Sequence, residues 1–242
     1  MVITYNTITM NGGLIMVLKI LLISLVGLAV DVWFIKTEYA GKMAKATLLK
    51  GAASLFFVVL GLVCYAAQKT DFGRLVLIGL ILGLVGDGFL NLRNQFTGGK
   101  SMKIFAVGIL AFLSGHFLYI AALIGRSPAI ILPALIATAV LSALAIPPLM
   151  KRITAPSAGL KIFGYVYLVV VIAMFSCAAA LLVTLGAGAL TLVFTLGALL
   201  FVVSDFIMIY YSFGKKIKPL RAINLLCYYV GQLMIAVCIL LA

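Results

Sequence analysis

The chain has 242 residues, of which 66% are hydrophobic and 10% are charged, and its mean hydropathy is +1.32. A soluble globular domain is about half apolar and about a quarter charged, so this composition excludes an ordinary soluble protein and indicates an integral membrane protein. The net charge of +13 does not indicate nucleic-acid binding, because Lys and Arg fall mostly between apolar runs. In that position they orient a membrane protein and contact anionic lipid head groups.

Apolar runs close to the roughly 20 residues that a membrane span requires occur eight times along the chain. The sequence therefore predicts an all-α fold, a single bundle of eight transmembrane helices forming one domain over 1–242. A short polar tail over 1–12 is expected to precede it. Short connections predict that neighbouring helices are antiparallel. The predicted spans are 13–35, 47–67, 75–92, 103–125, 128–150, 160–184, 187–211 and 219–241.

Basic residues are distributed unevenly among the connections between spans. The connections after the first, third, fifth and seventh spans carry thirteen Lys and Arg residues, and the others carry three. The positive-inside rule then predicts that the richer connections are cytoplasmic and that both termini lie on the non-cytoplasmic side. The expected location is the inner membrane of a bacterial cell, as a multi-pass protein.

Three of the five acidic residues lie inside predicted spans: Asp31, Asp87 and Asp205. Ionisable side chains in hydrocarbon are costly and usually functional. The three acids lie at similar depth near the cytoplasmic ends of spans one, three and seven. We expect them to share a cavity that opens toward the cytoplasm.

Other polar residues recur three or four positions apart, which places them on one helix face. Lys50 with Ser54 forms such a stripe on span two. His116, the only histidine, shares a face with Tyr119 on span four and is expected deeper in the membrane. Two simpler interpretations stay open: Asp31 could pair with Lys50, or Lys50 could anchor at the interface. The candidate binding residues are Lys50, Asn91, Tyr119, Tyr165, Asn224, Tyr228 and Gln232.

Neither a metal nor a cofactor is expected. A zinc hydrolase site usually has three protein ligands, mostly His, and this chain has one His. Magnesium or calcium held by the aspartates is a weaker alternative. No nucleotide-binding motif is present, and no CxxC pair exists among the cysteines, which are expected to be small core residues. These are Cys64, Cys177, Cys227 and Cys238.

Four short motifs occur in order along the chain. They are Gly-Leu-Val-Gly-Asp ending at Asp87, Gly-His-Phe-Leu-Tyr ending at Tyr119, Ser-Asp ending at Asp205, and Tyr-Tyr-Val-Gly-Gln ending at Gln232. Together they resemble the YhhN family, whose members are described as eight-spanning and whose characterised members are lysoplasmalogenases. The resemblance runs from about Lys45 to the C-terminus. It departs from the family pattern at Gly231, where alanine is expected, and it is weakest over the first span.

The resemblance implies hydrolysis of the vinyl-ether bond of a lysoplasmalogen to a fatty aldehyde and glycerophospho-ethanolamine or -choline. Asp87 and Asp205 would be the acid and base in either order, and His116 would relay a proton or orient water. The expected partners are the lysophospholipid substrate and membrane lipid. Two alternatives stay open: a proton-coupled transporter of lipids or small molecules, and a hydrolase of another lyso-lipid. Against a transporter, no inverted repeat or matched pair of broken helices is visible.

Overall fold

The structure, a computed structural model, describes residues 2–154 and 158–242. Within these ranges it contains eight long helices and no strand, and all eight are long and apolar enough to cross a membrane. The prediction of eight apolar helices is confirmed, with boundaries that agree within a few residues everywhere except at the N-terminus. The helices are α1 (Val2–Tyr39), α2 (Met43–Ala67), α3 (Asp71–Leu92), α4 (Gly98–Arg126), α5 (Ile131–Met150), α6 (Ala158–Leu185), α7 (Ala189–Phe213) and α8 (Lys218–Leu241).

The N-terminal stretch is helical. Helix α1 begins at Val2, so the predicted tail over 1–12 is helical from its second residue. No proline interrupts this stretch, and the helix therefore continues past the apolar segment. The part of α1 that is long and apolar enough to cross a membrane is Gly12–Tyr39.

Ordinary local signals set several helix ends. The Thr70 side chain accepts a hydrogen bond of 3.0 Å from the Gly73 backbone N–H and caps α3. Pro219 stands in the first turn of α8, where its missing N–H costs nothing. Gly41, between α1 and α2, has a φ of +74°, which a side chain would oppose. These tight connections keep neighbouring helices antiparallel.

Six helices enclose the centre of the bundle, and two lie outside. Except for α4 and α5, sequence neighbours pack on each other, α4 packs against α6, and α8 also packs against α1, α2 and α3. This arrangement closes α2, α3, α4, α6, α7 and α8 around a common interior. Helix α5 packs on α6, and α1 packs on α2 and α8 while exposing most of its apolar side chains.

Glycines allow two helix pairs to approach closely. On α3, Gly79 and Gly86 face the rings of Tyr119 and Phe112, and a Cβ at Gly86 would lie only 2.6 Å from the Phe112 ring. Gly231 on α8 faces Gly197 on α7, and a Cβ at Gly231 would lie 2.9 Å from the Gly197 carbonyl oxygen. Backbone cannot yield as a flexible side chain can, which explains why Gly231 stands where the family pattern predicted alanine.

Candidate functional site

A polar cavity of about 390 Å³ extends into the enclosed interior from the end of the bundle that carries the more basic connections. That volume lies within the range of small-molecule sites. Most residues of the inner wall belong to α2, α3, α7 and α8. The rim is formed by the end of α1 and the α7–α8 connection. The charged residues lining it are Glu38, Lys50, Asp87, Arg93, Asp205, Lys216, Lys218 and Arg221.

Asp87 is surrounded by an amine and two hydroxyl groups. Its Oδ1 lies 3.0 Å from Lys50 Nζ. Its Oδ2 accepts hydrogen bonds of 2.7 Å from both Ser54 Oγ and Tyr228 Oη. Lys50 and Asp87 are 5% and 2% exposed, so this is a buried ion pair with further hydrogen bonds. Tyr229 supports it from behind, with its hydroxyl 3.0 Å from Ser54 Oγ.

Asp205 has different surroundings. Its Oδ2 accepts a hydrogen bond of 2.6 Å from Tyr167 Oη on α6. Its nearest ionisable partner is His116, whose Nε2 lies 4.0 Å away, beyond hydrogen-bond range. Within the described ranges, no Lys or Arg nitrogen lies within 4.0 Å of Asp205. Asp205 is only 4% exposed, so its carboxyl is buried without a paired cation among the described residues.

A second polar layer lies behind the cavity wall. Gln232 Nε2 donates to Tyr228 Oη at 3.3 Å, and Tyr119 Oη donates to Gln232 Oε1 at 3.1 Å. His116 Nδ1 lies 3.3 Å from the Met174 sulfur. All of these side chains are buried. His116 and Gln232 do not line the cavity itself, and their expected depth in the membrane stays a prediction.

The cavity rim carries cations of two kinds. Arg221 donates to both carboxylate oxygens of Glu38, at 3.1 and 3.0 Å, and to Asn224 Oδ1 at 3.0 Å. Arg93, Lys216 and Lys218, by contrast, have no carboxylate within 4.0 Å in the part of the chain described. Burial, with a smaller effect of nearby Arg221, lowers the pKa of Arg93 to about 10, so it remains cationic at neutral pH. Three cations are thus available for an anionic ligand.

The family model for the YhhN family matches residues 45–239, most of the chain. The chain belongs to the YhhN family. No curated protein and no solved structure matched the chain. The YhhN-family match contains Lys50, Asp87, Asp205 and His116, and it leaves out all of α1, including Asp31 and Glu38.

Five predicted residues of this YhhN-family site line the cavity directly: Lys50, Asp87, Asp205, Asn224 and Tyr228. Asn224 orients the wall, since its amide donates to Ser204 O and Ser204 Oγ at 2.8 Å each. Tyr119, His116 and Gln232 form the layer behind it. Asn91 is buried one turn beyond Asp87 and is not among the wall residues.

Two predictions about the cavity are wrong. Tyr165 is 41% exposed and lies on an outer groove beside α5 instead of on the polar cavity. Asp31 is fully buried but does not line the cavity, and neither carboxylate oxygen has a hydrogen-bond partner among the described residues. Lys50 pairs with Asp87, so the alternative pairing of Asp31 with Lys50 is also wrong.

Sequence reasoning missed four residues that line the cavity: Glu38, Arg93, Tyr167 and Arg221. Tyr167 is two positions from Tyr165, which puts it about 200° away around the helix. Arg93 and Arg221 were counted only as topology signals in connections. Their roles depend on which helix ends converge, and no local pattern carries that information.

Among the described residues, no group of three or more His, Cys, Asp and Glu side chains is arranged to hold a metal ion. The expectation of a site without metal or cofactor stays a prediction. The cysteines are free thiols within the bundle, as expected for small core residues.

Proposed function

We propose that this YhhN-family protein hydrolyses the vinyl-ether bond of a lysoplasmalogen, releasing a fatty aldehyde and a glycerophospho-alcohol. One observation carries the proposal: two buried carboxyls in contrasting surroundings, Asp87 and Asp205, line one cavity whose rim has cations without carboxylate partners. A carboxyl pair of this kind suits acid and base catalysis, and the rim suits a phosphate.

The reaction needs one proton donor and one water molecule. A carboxylic acid protonates the alkenyl carbon that is not bonded to oxygen, which generates an oxocarbenium ion. Water adds to the cationic carbon and loses a proton, which gives a hemiacetal. Breakage of the bond between that carbon and the glycerol oxygen then yields aldehyde and alcohol, while the alcohol oxygen takes up a proton. The net reaction consumes one water molecule and returns the acid to its starting state.

Asp205 is the proposed proton donor. It is buried without a paired cation, so carrying a proton avoids an uncompensated charge in an apolar interior. Tyr167 fixes the orientation of its carboxyl group. His116, 4.0 Å from Asp205, is placed to return the proton after a small movement.

Asp87 is the proposed carboxylate that stabilises the oxocarbenium ion and orients water. The Lys50 ammonium group balances its charge, and Ser54 and Tyr228 hold its Oδ2. A charged group fixed before the reaction stabilises a developing cation without reorganising. Gln232 keeps the Tyr228 hydroxyl directed toward Asp87.

Arg93, Lys216 and Lys218 are proposed to bind the phosphate of the head group. These cations lie at the rim, while the two carboxyls lie on the inner wall. A lipid with its phosphate at the rim would therefore direct its glycerol oxygens toward Asp87 and Asp205. This arrangement belongs to the proposed topology, in which the basic end faces the cytoplasm of a bacterial inner membrane and both termini face outward.

Aldehyde release by the purified full-length protein tests the reaction. We expect aldehyde from lysoplasmenyl-ethanolamine and none from the saturated alkyl-ether analogue, because only the vinyl ether gives an oxocarbenium ion on protonation. Cleavage of an ester analogue without aldehyde would identify a different lyso-lipid hydrolase. No turnover in detergent, with substrate uptake by proteoliposomes, would support the transporter.

A reporter fused after Ala242 tests the topology separately. We expect activity of a reporter that works outside the cytoplasm. A cytoplasmic reporter signal would overturn the proposed orientation or the count of spans.

A further inference from the structure

An apolar slot lies beside the polar cavity, between α4, α6 and α7. Phe105 and Ile109 of α4 form one side, and Ile209 and Phe213 of α7 form another. The Phe105 and Phe213 rings meet edge to face with centroids 5.6 Å apart. The base is fixed by a hydrogen bond of 2.8 Å from the Thr154 backbone N–H to the Phe213 carbonyl oxygen. The slot is narrow, with a free volume of about 20 Å³.

The slot adjoins the polar cavity at Tyr167, whose side chain stands between the two spaces. Within the described ranges, Tyr167 is the one residue that lines both spaces. Its hydroxyl bonds Asp205 in the cavity, and its side chain also borders the slot. A second connection lies nearby, where the Arg93 guanidinium stacks on the Phe105 ring at 4.4 Å. Arg93, which is proposed to bind phosphate, is therefore in contact with Phe105, which borders the slot.

The slot also leads outward to the lipid-facing surface. Met150 and Lys161 line both the slot and an apolar groove of about 560 Å³ beside α5. Apolar and exposed side chains, among them Ile162 and Val166, form much of this groove. Met150 is at the junction, and a methionine side chain adapts readily to different packing.

We propose that the slot, together with the outer groove, binds the hydrocarbon chain of a single-chain lipid whose head group occupies the polar cavity. This inference rests on the proposed function for the identity of the lipid. The reacting bond of such a lipid joins its polar and apolar parts, and Tyr167 lies at the junction between the polar and apolar spaces. The chain enters the slot by displacing Met150, since the free volume of the slot alone is smaller than a chain.

The same geometry predicts that the site prefers lipids with one hydrocarbon chain to lipids with two. Much of the cavity wall is polar or charged, and a second chain there would desolvate Lys50, Arg221 and Asn224 without compensation. Each methylene transferred to an apolar slot increases affinity about fourfold. A longer single chain should bind more tightly until the slot and groove are filled.

Photolabelling tests the binding site without requiring turnover. The probe is a saturated alkyl-ether lysophospholipid with a diazirine in mid-chain, mixed with the full-length protein in detergent. We expect label on the segments around Phe105, Met150 and Gly164. A two-chain phospholipid with the same diazirine should label the outer groove but not Phe105. Label confined to exposed α1 residues, or equal label from both probes, would overturn the proposal.

Gly164 offers a substitution that fills the slot without disturbing the helix. It lines the slot, and a Cβ added there has no atom within 4 Å. Gly159, on the same helix, is exposed and equally open, but does not line the slot, so Gly159→Leu is the matched control. Gly164→Leu should raise the KM for a sixteen-carbon lysoplasmalogen about tenfold and leave that of a six-carbon one unchanged. Loss of Phe105 labelling in Gly164→Leu alone is also expected.

The outcomes separate this inference from the proposed function. Labelling of the slot without aldehyde release would support binding of the hydrocarbon chain in the slot and would contradict the proposed reaction. The opposite result is aldehyde release without slot labelling, together with equal KM values for Gly164→Leu and Gly159→Leu at both chain lengths. That result would support the reaction and contradict binding of the hydrocarbon chain in the slot.

Discussion

Asp87 and Asp205 lie on the same cavity but in opposite kinds of surroundings. Asp87 faces Lys50 at 3.0 Å and accepts two further hydrogen bonds. Asp205 has a tyrosine and a more distant histidine, and within the described part of the chain no Lys or Arg contacts it. The two aspartates thus occupy sites that differ in how well they tolerate a negative charge. Under the proposed function, this difference favours Asp205 as the acid and Asp87 as the carboxylate that stays charged.

The largest expected effect comes from removing the proposed proton donor. Asp205→Asn should lower kcat for aldehyde release about 100-fold or more, because general acid catalysis contributes about 10²–10⁴-fold. Thermal stability should change little, since no ion pair is lost. Asp205→Glu, which keeps a carboxyl, should recover part of the rate. Full activity of Asp205→Asn would show that Asp205 is not the proton donor, and the proposed contrast in role between Asp87 and Asp205 would be wrong.

Breaking the ion pair at Asp87 should instead affect stability and activity together. Lys50→Met leaves a buried carboxylate without its partner, a loss that costs about 3–5 kcal/mol in comparable sites. The melting temperature in detergent should fall for Lys50→Met and recover largely in the double variant Lys50→Met with Asp87→Asn. Activity should stay low in both. Equal melting temperatures for Lys50→Met and Asp205→Asn would contradict the contrast between the two sites.

Two tyrosines on α6 provide a matched pair. Tyr167→Phe removes the hydrogen bond that orients the Asp205 carboxyl, and a hydrogen bond between neutral groups is worth about 0.5–1.5 kcal/mol. We expect a loss of kcat of about three- to tenfold. Tyr165→Phe, on the outer groove, should leave kcat within about twofold of the native value. Equal losses in both variants would show that the hydroxyl of Tyr167 has no specific role.

The smallest effect is expected at the third buried acid. Asp31→Asn should leave aldehyde release within about twofold of native, since Asp31 does not line the cavity. It should not lower the melting temperature, because its carboxylate oxygens have no hydrogen-bond partner among the described residues to lose. A large fall in kcat would mean that three carboxyls, and not two, share the chemistry.

The sequence predicted the helices well because each apolar run is separated from the next by glycine, proline or charged residues. It also predicted Asp87, Asp205, Lys50 and Tyr228 on one cavity, since an ionisable group in hydrocarbon requires a partner or a water-filled space. Depth along a helix, however, does not fix its face. Tyr165 and Asp31 were chosen by depth alone, and one lies on the outer groove while the other lies behind the cavity wall.

The convergence of helix ends was beyond sequence reasoning for a different reason. Arg221 reaches Glu38 across 183 positions, and the Tyr39 hydroxyl donates to the Lys218 carbonyl oxygen. Only the packing of α1 against α8 brings these groups together. The same applies to Tyr167, whose role depends on α6 lying beside α7.

The position of Tyr167 between a wet space and a dry one has a consequence for the fate of the products. Under the proposed function, cleavage at this boundary would leave the glycerophospho-alcohol in the polar cavity, from which it would return to water through the cavity mouth. The fatty aldehyde would be left in the slot beside the apolar outer groove. Each product would then depart into the phase that dissolves it.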